Sequence, residues 1–351
     1  MIKVKNTAKK FLMLAIVIST AVVFLLCSES ASKGVINSMR LCASTVIPSL
    51  LPFMVLSGYV VNSGLMSDFG RFFERPCRMI FRLPGEAALI IIMSLTGGFP
   101  VGAKMISSAI EKGSLSKNQG RRMMLFCVNA GPAFIINAVG VSMLNSRKAG
   151  VILLVATVCA SIIMGILSRF FEKKDKKHIS VGKIPQDKSG AISSSVSDAV
   201  KSMILICGWI VVFGAVRQIV NDTDYLHGIR LWSDLLCEVT GGCAAAVNNF
   251  SLPVVGFVLG FSGFAVHAQI LTFIDKCGLK YRFFFAARAL NGAISAVIAE
   301  LLFKLFPCTV QVFSSDTQMM PVAFSVSAYA SAAAIFTAAL IILDLAPKKK
   351  V

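Results

Sequence analysis

The sequence predicts an all-α polytopic membrane protein, built as an inverted repeat with two re-entrant helical hairpins and broken transmembrane helices. Three observations predict it. First, 56% of the 351 residues are apolar and only 15% are charged, and apolar runs long enough to cross a hydrocarbon core of roughly 30 Å recur along the chain. Second, two of these runs are interrupted in the same way, at Thr96-Gly97-Gly98-Phe99-Pro100-Val101-Gly102-Ala103-Lys104 and at Gly260-Phe261-Ser262-Gly263-Phe264-Ala265-Val266-His267-Ala268-Gln269; both contain Gly-Phe-x-Val-x-Ala. Irregular backbone at membrane depth survives only buried in protein or lining a cavity, because hydrocarbon cannot satisfy its N–H and C=O groups. Third, the charges sit in short connections between apolar runs, so their sign reports orientation. Matched interruptions in two halves point to the binding site of a secondary transporter.

The elements follow in order. Lys3, Lys5, Lys9 and Lys10 precede an apolar run at 11–27. No small-residue cleavage site follows it directly, so it is expected to be a retained first helix with a cytoplasmic N-terminus. The run at 41–61 returns inward, bent by Pro48 and Pro52. Arg71, Arg75, Arg78 and Arg82, interleaved with Phe72, Phe73, Met79, Ile80 and Phe81, suit an amphipathic helix in the cytoplasmic interface. The run at 87–110 then lies between this basic stretch and Lys112, Lys117, Arg121 and Arg122. Basic flanks on both sides predict a re-entrant hairpin, with its tip at 96–100. The next run, 123–144, is interrupted at Asn129-Ala130-Gly131-Pro132, where Pro132 removes a donor and disfavours helix at Gly131. A run at 151–167 leads back to a Lys/Arg-rich segment.

The second half repeats the order. A run at 202–220 reaches a loop with Asp222, Asp224, Asp234 and Glu238. A hairpin at 252–274 follows, then runs at 283–306 and 322–345. The predicted organisation is an N-terminal transmembrane helix (1–34), a first repeat (35–168), a basic cytoplasmic linker (169–198), a second repeat (199–345) and a basic tail (346–351). Loop charge sends the leading helix of the first repeat inward and that of the second outward, which is inversion. Two re-entrant hairpins, however, leave Lys276, Lys280, Arg282 and the C-terminal lysines outside, against the charge bias. Repeat symmetry is followed here.

Composition also excludes. The net charge of +18 is explained by basic cytoplasmic loops, and no nucleic-acid partner is expected. The ten cysteines lie mostly in or beside apolar segments without a C-x-x-C pair and read as small packing residues. His178, His227 and His267 lack ligand spacing, so no metal and no cofactor is expected. The stretch at 97–104 lacks the Gly-Lys-Ser/Thr ending of a phosphate loop, which excludes ATP-driven transport by this chain. An intramembrane enzyme needs a buried nucleophile with a base or a second acid, and Glu300 stands without one; the chain is read as not an enzyme.

The motifs LTGGFPVGAKMISSAIEKGSLS and FCVNAGPAFIINAVG resemble the YlbJ, or stage V sporulation protein V, family of sporulation integral membrane proteins, over roughly 35–345. Val128 stands where the family has the first of two asparagines. The resemblance implies two copies of a nucleoside-recognition (Gate) domain, a plan similar to concentrative nucleoside transporters. It also implies action at the outer forespore membrane of a spore-forming bacterium, passing dipicolinate toward the spore.

The residues are compatible with a planar aromatic dianion. Hairpin tips place helix N-termini, with their free N–H groups, near the midplane. The candidate substrate site comprises Thr96, Gly97, Gly98, Phe99, Pro100 and Lys104 at the first break and Asn129, Gly131 and Pro132 beside it. In the second half it comprises Ser262, Gly263, Phe264, His267, Gln269, Arg288 and Asn291. Buried ions cost roughly 2.5–3.5 kcal/mol each and face a cavity or a partner; Arg288 pairing with Glu300 is the competing structural reading. His267 suits proton coupling, with sodium as the other coupling ion. A small organic anion and the lipid bilayer are the expected partners, and a homo-oligomer is compatible with the plan. The alternatives are a nucleoside or other small-molecule transporter of the Gate type and a non-transporting sporulation assembly protein.

Overall fold

The computed structural model describes residues 2–63, 65–171, 190–223 and 227–308. Most of the linker and the predicted run at 322–345 with the basic tail lie outside the described residues. The described residues form helices and turns. The first half holds α1 (Ile2–Leu26), α2 (Ser28–Leu41), α3 (Ile47–Ser63), α4 (Leu65–Phe81), α5 (Ala87–Thr96), α6 (Phe99–Glu111), α7 (Lys117–Met124) and α8 (Arg147–Leu167). The second holds α9 (Ala191–Asp222), α10 (His227–Cys237), α11 (Val239–Asn249), α12 (Leu252–Phe261), α13 (Gly263–Cys277) and α14 (Tyr281–Leu305). Among the described residues, four spans are long and apolar enough to cross a membrane: Arg147–Phe170, Ala191–Asp222, Leu252–Cys277 and Tyr281–Leu305. A fifth forms if Val17–Leu26 and Ser28–Ser44, which meet at 89°, count as one. The protein is an integral, multi-pass membrane protein.

Helix α2 runs into α3 through a π-turn at Cys42–Val46, directly before Pro48. The wider turn makes room where a proline ring crowds the preceding one. The α2–α3 run packs antiparallel to α9. At one end Asn62 Nδ2 donates to Ser195 Oγ at 2.8 Å; at the other Gly34 sits on Gly214 and Ala215 so closely that a Cβ would come within 2.9 Å of Ala215 Cα. Small residues allow this approach. The α2–α3 run and α9 thus run in opposite directions.

A cluster of hydrogen bonds marks the basic face. Lys112 Nζ donates to Val61 O at 3.1 Å and to Asn62 Oδ1. Lys276 pairs with Glu111 at 2.7 Å, and Arg121 Nε donates to Cys277 O at 3.0 Å. Buried Arg122 donates to the carbonyls of Phe81, Arg82 and Ser168. The ends of α3, α4, α6, α8 and α13 therefore share one face with the start of α9. On the opposite face Lys148 Nζ donates to Pro307 O at 3.0 Å, joining the start of α8 to the end of α14.

Helices α5 and α6 fold back on each other. Gly102 lies against Ser94, where a Cβ would come within 2.6 Å of the Ser94 Cβ, and these residues are equidistant from Gly98. Both ends of the pair lie on the side of the basic face. The expected hairpin at 252–274 is corrected. Along α14, Gly256 meets Ala299, Gly260 meets Gly292, and His267 meets Phe284 and Tyr281. Leu252–Cys277 is therefore one antiparallel span, unwound at Ser262, and not a fold-back. Lys276, Lys280 and Arg282 then lie on the basic face, and the conflict with the charge rule disappears. In consequence α6 and α13 end on the same face, with Glu111 against Lys276, so strict inversion does not extend to the second break.

This topology has a direct test. Single cysteines replacing Arg75, Lys117, Phe250 and Lys280, in a background stripped of the ten native cysteines, are expected to label from the same side except for Phe250. Labelling of positions 250 and 280 from one side would restore the second hairpin.

Candidate functional site

The first break is set by local chemistry. α5 ends where Thr96 Oγ1 turns back to Ile92 O at 3.1 Å and Gly97 N donates to Met93 O at 2.9 Å. Gly98 has φ +87° and ψ 176°, a conformation that L side chains avoid. Phe99 and Pro100 then open α6, Pro100 in the first turn, where its missing N–H costs nothing. The tip rests on a second irregular stretch, residues 125–132, between α7 and a π-helical segment at Phe134–Met143. A Cβ on Gly131 would lie 3.5 Å from Gly98 N and Thr96 O. Asn129 braces this stretch: its Nδ2 donates to Phe126 O at 2.8 Å, and its Oδ1 accepts from Ser161 Oγ on α8 at 2.6 Å. Ser94, Asn129 and Ser161 line a cavity of about 10 Å³, room for one water.

One turn beyond the tip, Lys104 is 8% exposed and its Nζ has no hydrogen-bond partner among the described residues; nor has Ser107 Oγ, a turn further. No salt bridge among the described residues engages Lys104.

The second break is held from α14. Ser262 adopts a left-handed φ of 81° and Gly263 one of 74°, so the last carbonyls of α12 lose their helical partners. Arg288 Nη2 donates to Gly260 O and, at 2.8 Å, to Ser262 Oγ. Asn291 Nδ2 reaches Gly260 O at 3.2 Å. His267 Nε2 lies 2.9 Å from Phe261 O, and its Nδ1 lies 3.0 Å from the Tyr281 hydroxyl. Gly260 and Gly292 interlock backbone to backbone: a Cβ on Gly260 would lie 2.6 Å from Gly292 Cα. Phe264 stacks on Phe285 with centroids 6.3 Å apart. Arg288 is fully buried, yet its Nε and Nη1, with Asn291 Oδ1 and Ser295 Oγ, have no partner among the described residues. Glu300 does not neutralise it; that carboxylate pairs with Lys304 at 2.7 Å on the surface.

The structure therefore gathers Thr96, Gly97, Gly98, Gly131 and their neighbours Phe99, Pro100, Asn129 and Pro132 at one break. It gathers Ser262, Gly263, Phe264, His267, Arg288 and Asn291 at the other. Lys104 and Gln269 are buried on α6 and α13, helices that pack against each other. Thr96 is exposed. Sequence reasoning missed Ser107, Tyr281 and Ser295. Helical spacing from recognised residues locates all three: Ser107 is three past Lys104, and Tyr281 and Ser295 are seven before and after Arg288.

Residues 43–170 match the family model described as Gate, nucleoside recognition. The chain is similar to the sporulation integral membrane protein YlbJ of Bacillus subtilis, at 27% identity, over 79% of this chain and 78% of the relative. No solved structure matches. Residues 43–170 thus resemble a Gate nucleoside-recognition domain, and most of the chain is similar to a sporulation integral membrane protein.

Proposed function

We propose that this protein is a secondary or facilitated transporter of a small organic dianion, dipicolinate, acting at the outer forespore membrane. One observation carries the reading. Each half buries a cation at a helix break with no carboxylate among the described residues paired to it: Lys104 beside the first and Arg288 at the second. Such charges are expensive in a membrane and mark substrate pathways. A molecule with two carboxylates is the matched ligand, and Phe99 and Phe264 offer flat apolar faces for its ring. The helix N-termini at Phe99 and Gly263 add about half a charge each, so the cations supply what the dipoles leave uncompensated.

The Gate description favours one second reading, a nucleoside. The two are separated by uptake of labelled dipicolinate into proteoliposomes, with uridine as competitor and imposed proton or sodium gradients. Saturable dipicolinate uptake untouched by excess uridine supports the dianion. Uridine uptake without dipicolinate uptake transfers the site to nucleosides, and uptake of neither overturns transport.

A further inference from the structure

We infer that the second break contains a proton-binding site, His267 Nδ1, reached from the basic face through the Tyr281 hydroxyl, and that this proton loads together with the anion. The inference rests on the transport reading above and names its coupling ion.

Hydrogen-bond chemistry fixes the ring. Phe261 O can only accept, so His267 Nε2 carries a hydrogen and donates to it at 2.9 Å. Nδ1 is then the basic atom of the neutral ring, and it accepts from Tyr281 Oη at 3.0 Å. His267 is 1% exposed, whereas Tyr281 is 40% exposed at the first residue of α14. That end of α14 follows directly on Cys277, which the Arg121 bond places at the basic face. The phenol is thus the polar link between that face and a ring otherwise enclosed by Phe261, Phe264, Phe284 and Phe285.

The proton step balances. Tyr281 passes its phenolic hydrogen to Nδ1 while its oxygen takes one from hydronium at the basic face, releasing water. One proton and one positive charge enter; only O–H and N–H bonds change. The Nε2–H bond to Phe261 O persists throughout, so the unwound backbone is held in both states.

Coupling follows from neighbouring charge. From α14, Tyr281 and Arg288 face the ring. The start of α11, against Gly263, carries Glu238, already accepting from Thr240 N and Gly241 N. The other elements packed on α13 carry Lys104 and Glu111 (α6), Arg121 (α7), Asp198, Lys201 and Arg217 (α9), and Arg230 and Asp234 (α10). A second positive charge near Arg288 in an apolar cage is unfavourable until a carboxylate joins it. Proton and anion therefore bind as a set.

Two measurements on the full chain test this. In proteoliposomes loaded with a pH-sensitive dye, wild-type dipicolinate uptake is expected to move protons with the substrate. Tyr281→Phe should slow that coupled flux roughly tenfold or more, and His267→Gln, which keeps a donor for Phe261 O, should abolish proton movement. Proton movement retained in His267→Gln, or wild-type uptake without proton movement, overturns the site. If the wild type carries no dipicolinate, the transport reading has failed, and a titration decides the proton site alone. The chain has three histidines, His178, His227 and His267, so replacing the first two leaves one ring for ¹⁵N NMR. That ring is expected as the Nε2–H tautomer at neutral pH, gaining a proton at Nδ1 on acidification at a rate reduced in Tyr281→Phe. A ring that stays neutral to the acid limit of the folded protein, or exchanges equally fast without the phenol, rejects the inference.

Discussion

Arg288→Gln is expected to abolish dipicolinate transport while the protein still inserts and purifies as a folded species. Arg288 has two roles that can be separated. Its Nη2 holds Gly260 O and Ser262 Oγ across the unwound stretch, and its Nε and Nη1 are buried without a partner among the described residues. Glutamine supplies one donor for the backbone but no charge. Asn291 Nδ2, also on Gly260 O, keeps that carbonyl satisfied, so the break itself should survive. The anion then loses its charged partner, which costs about 2–5 kcal/mol, roughly 30-fold or more in affinity. Arg288→Lys retains the charge without the planar fork and should recover only part of the loss. Binding by calorimetry and uptake should fall together. Wild-type uptake in Arg288→Gln would reduce this residue to a cap on α12.

Much of this architecture is legible in the sequence. The glycines at 97 and 98 locate the first helix break, between α5 and α6, and Pro132 locates the irregular stretch beside it. The second break was legible as a break but not as a fold, because a shared Gly-Phe-x-Val-x-Ala string describes where helix ends and not which way chain continues. The discriminating residue is one position of that string. In the first half Gly102 meets Ser94 and the Cys127 carbonyl with no space for a side chain, which lets the two legs close. The second half places His267 there. An imidazole cannot enter such a contact, so the legs stay extended and the ring turns to Phe261 and Tyr281 instead. Lys276, Lys280 and Arg282 carry the same message through the charge rule. The π-helical segment at Phe134–Met143 was not legible at all. It packs on α8 with Gly140 against Gly150, a tertiary contact that local periodicity does not encode.

Lys104 should show the opposite balance of stability and activity. Its Nζ is buried without a hydrogen bond or a counter-ion among the described residues, so it burdens the folded state. Lys104→Met fits the same unbranched volume and removes the charge. It is expected to raise stability on the order of 1–3 kcal/mol and to weaken dipicolinate transport strongly. Lys104→Gln should weaken transport equally, and Lys104→Arg should retain part of it, because a guanidinium still presents a cation one turn past the tip. A merely structural lysine predicts otherwise: its removal would stabilise the protein and leave transport untouched. Thermal unfolding in detergent and uptake in proteoliposomes therefore have to be read side by side. If Lys104→Met gains stability and transports at the wild-type rate, the anion is held at the second break alone, on Arg288. If Lys104 and Arg288 variants both transport normally, an uncharged substrate replaces the dianion.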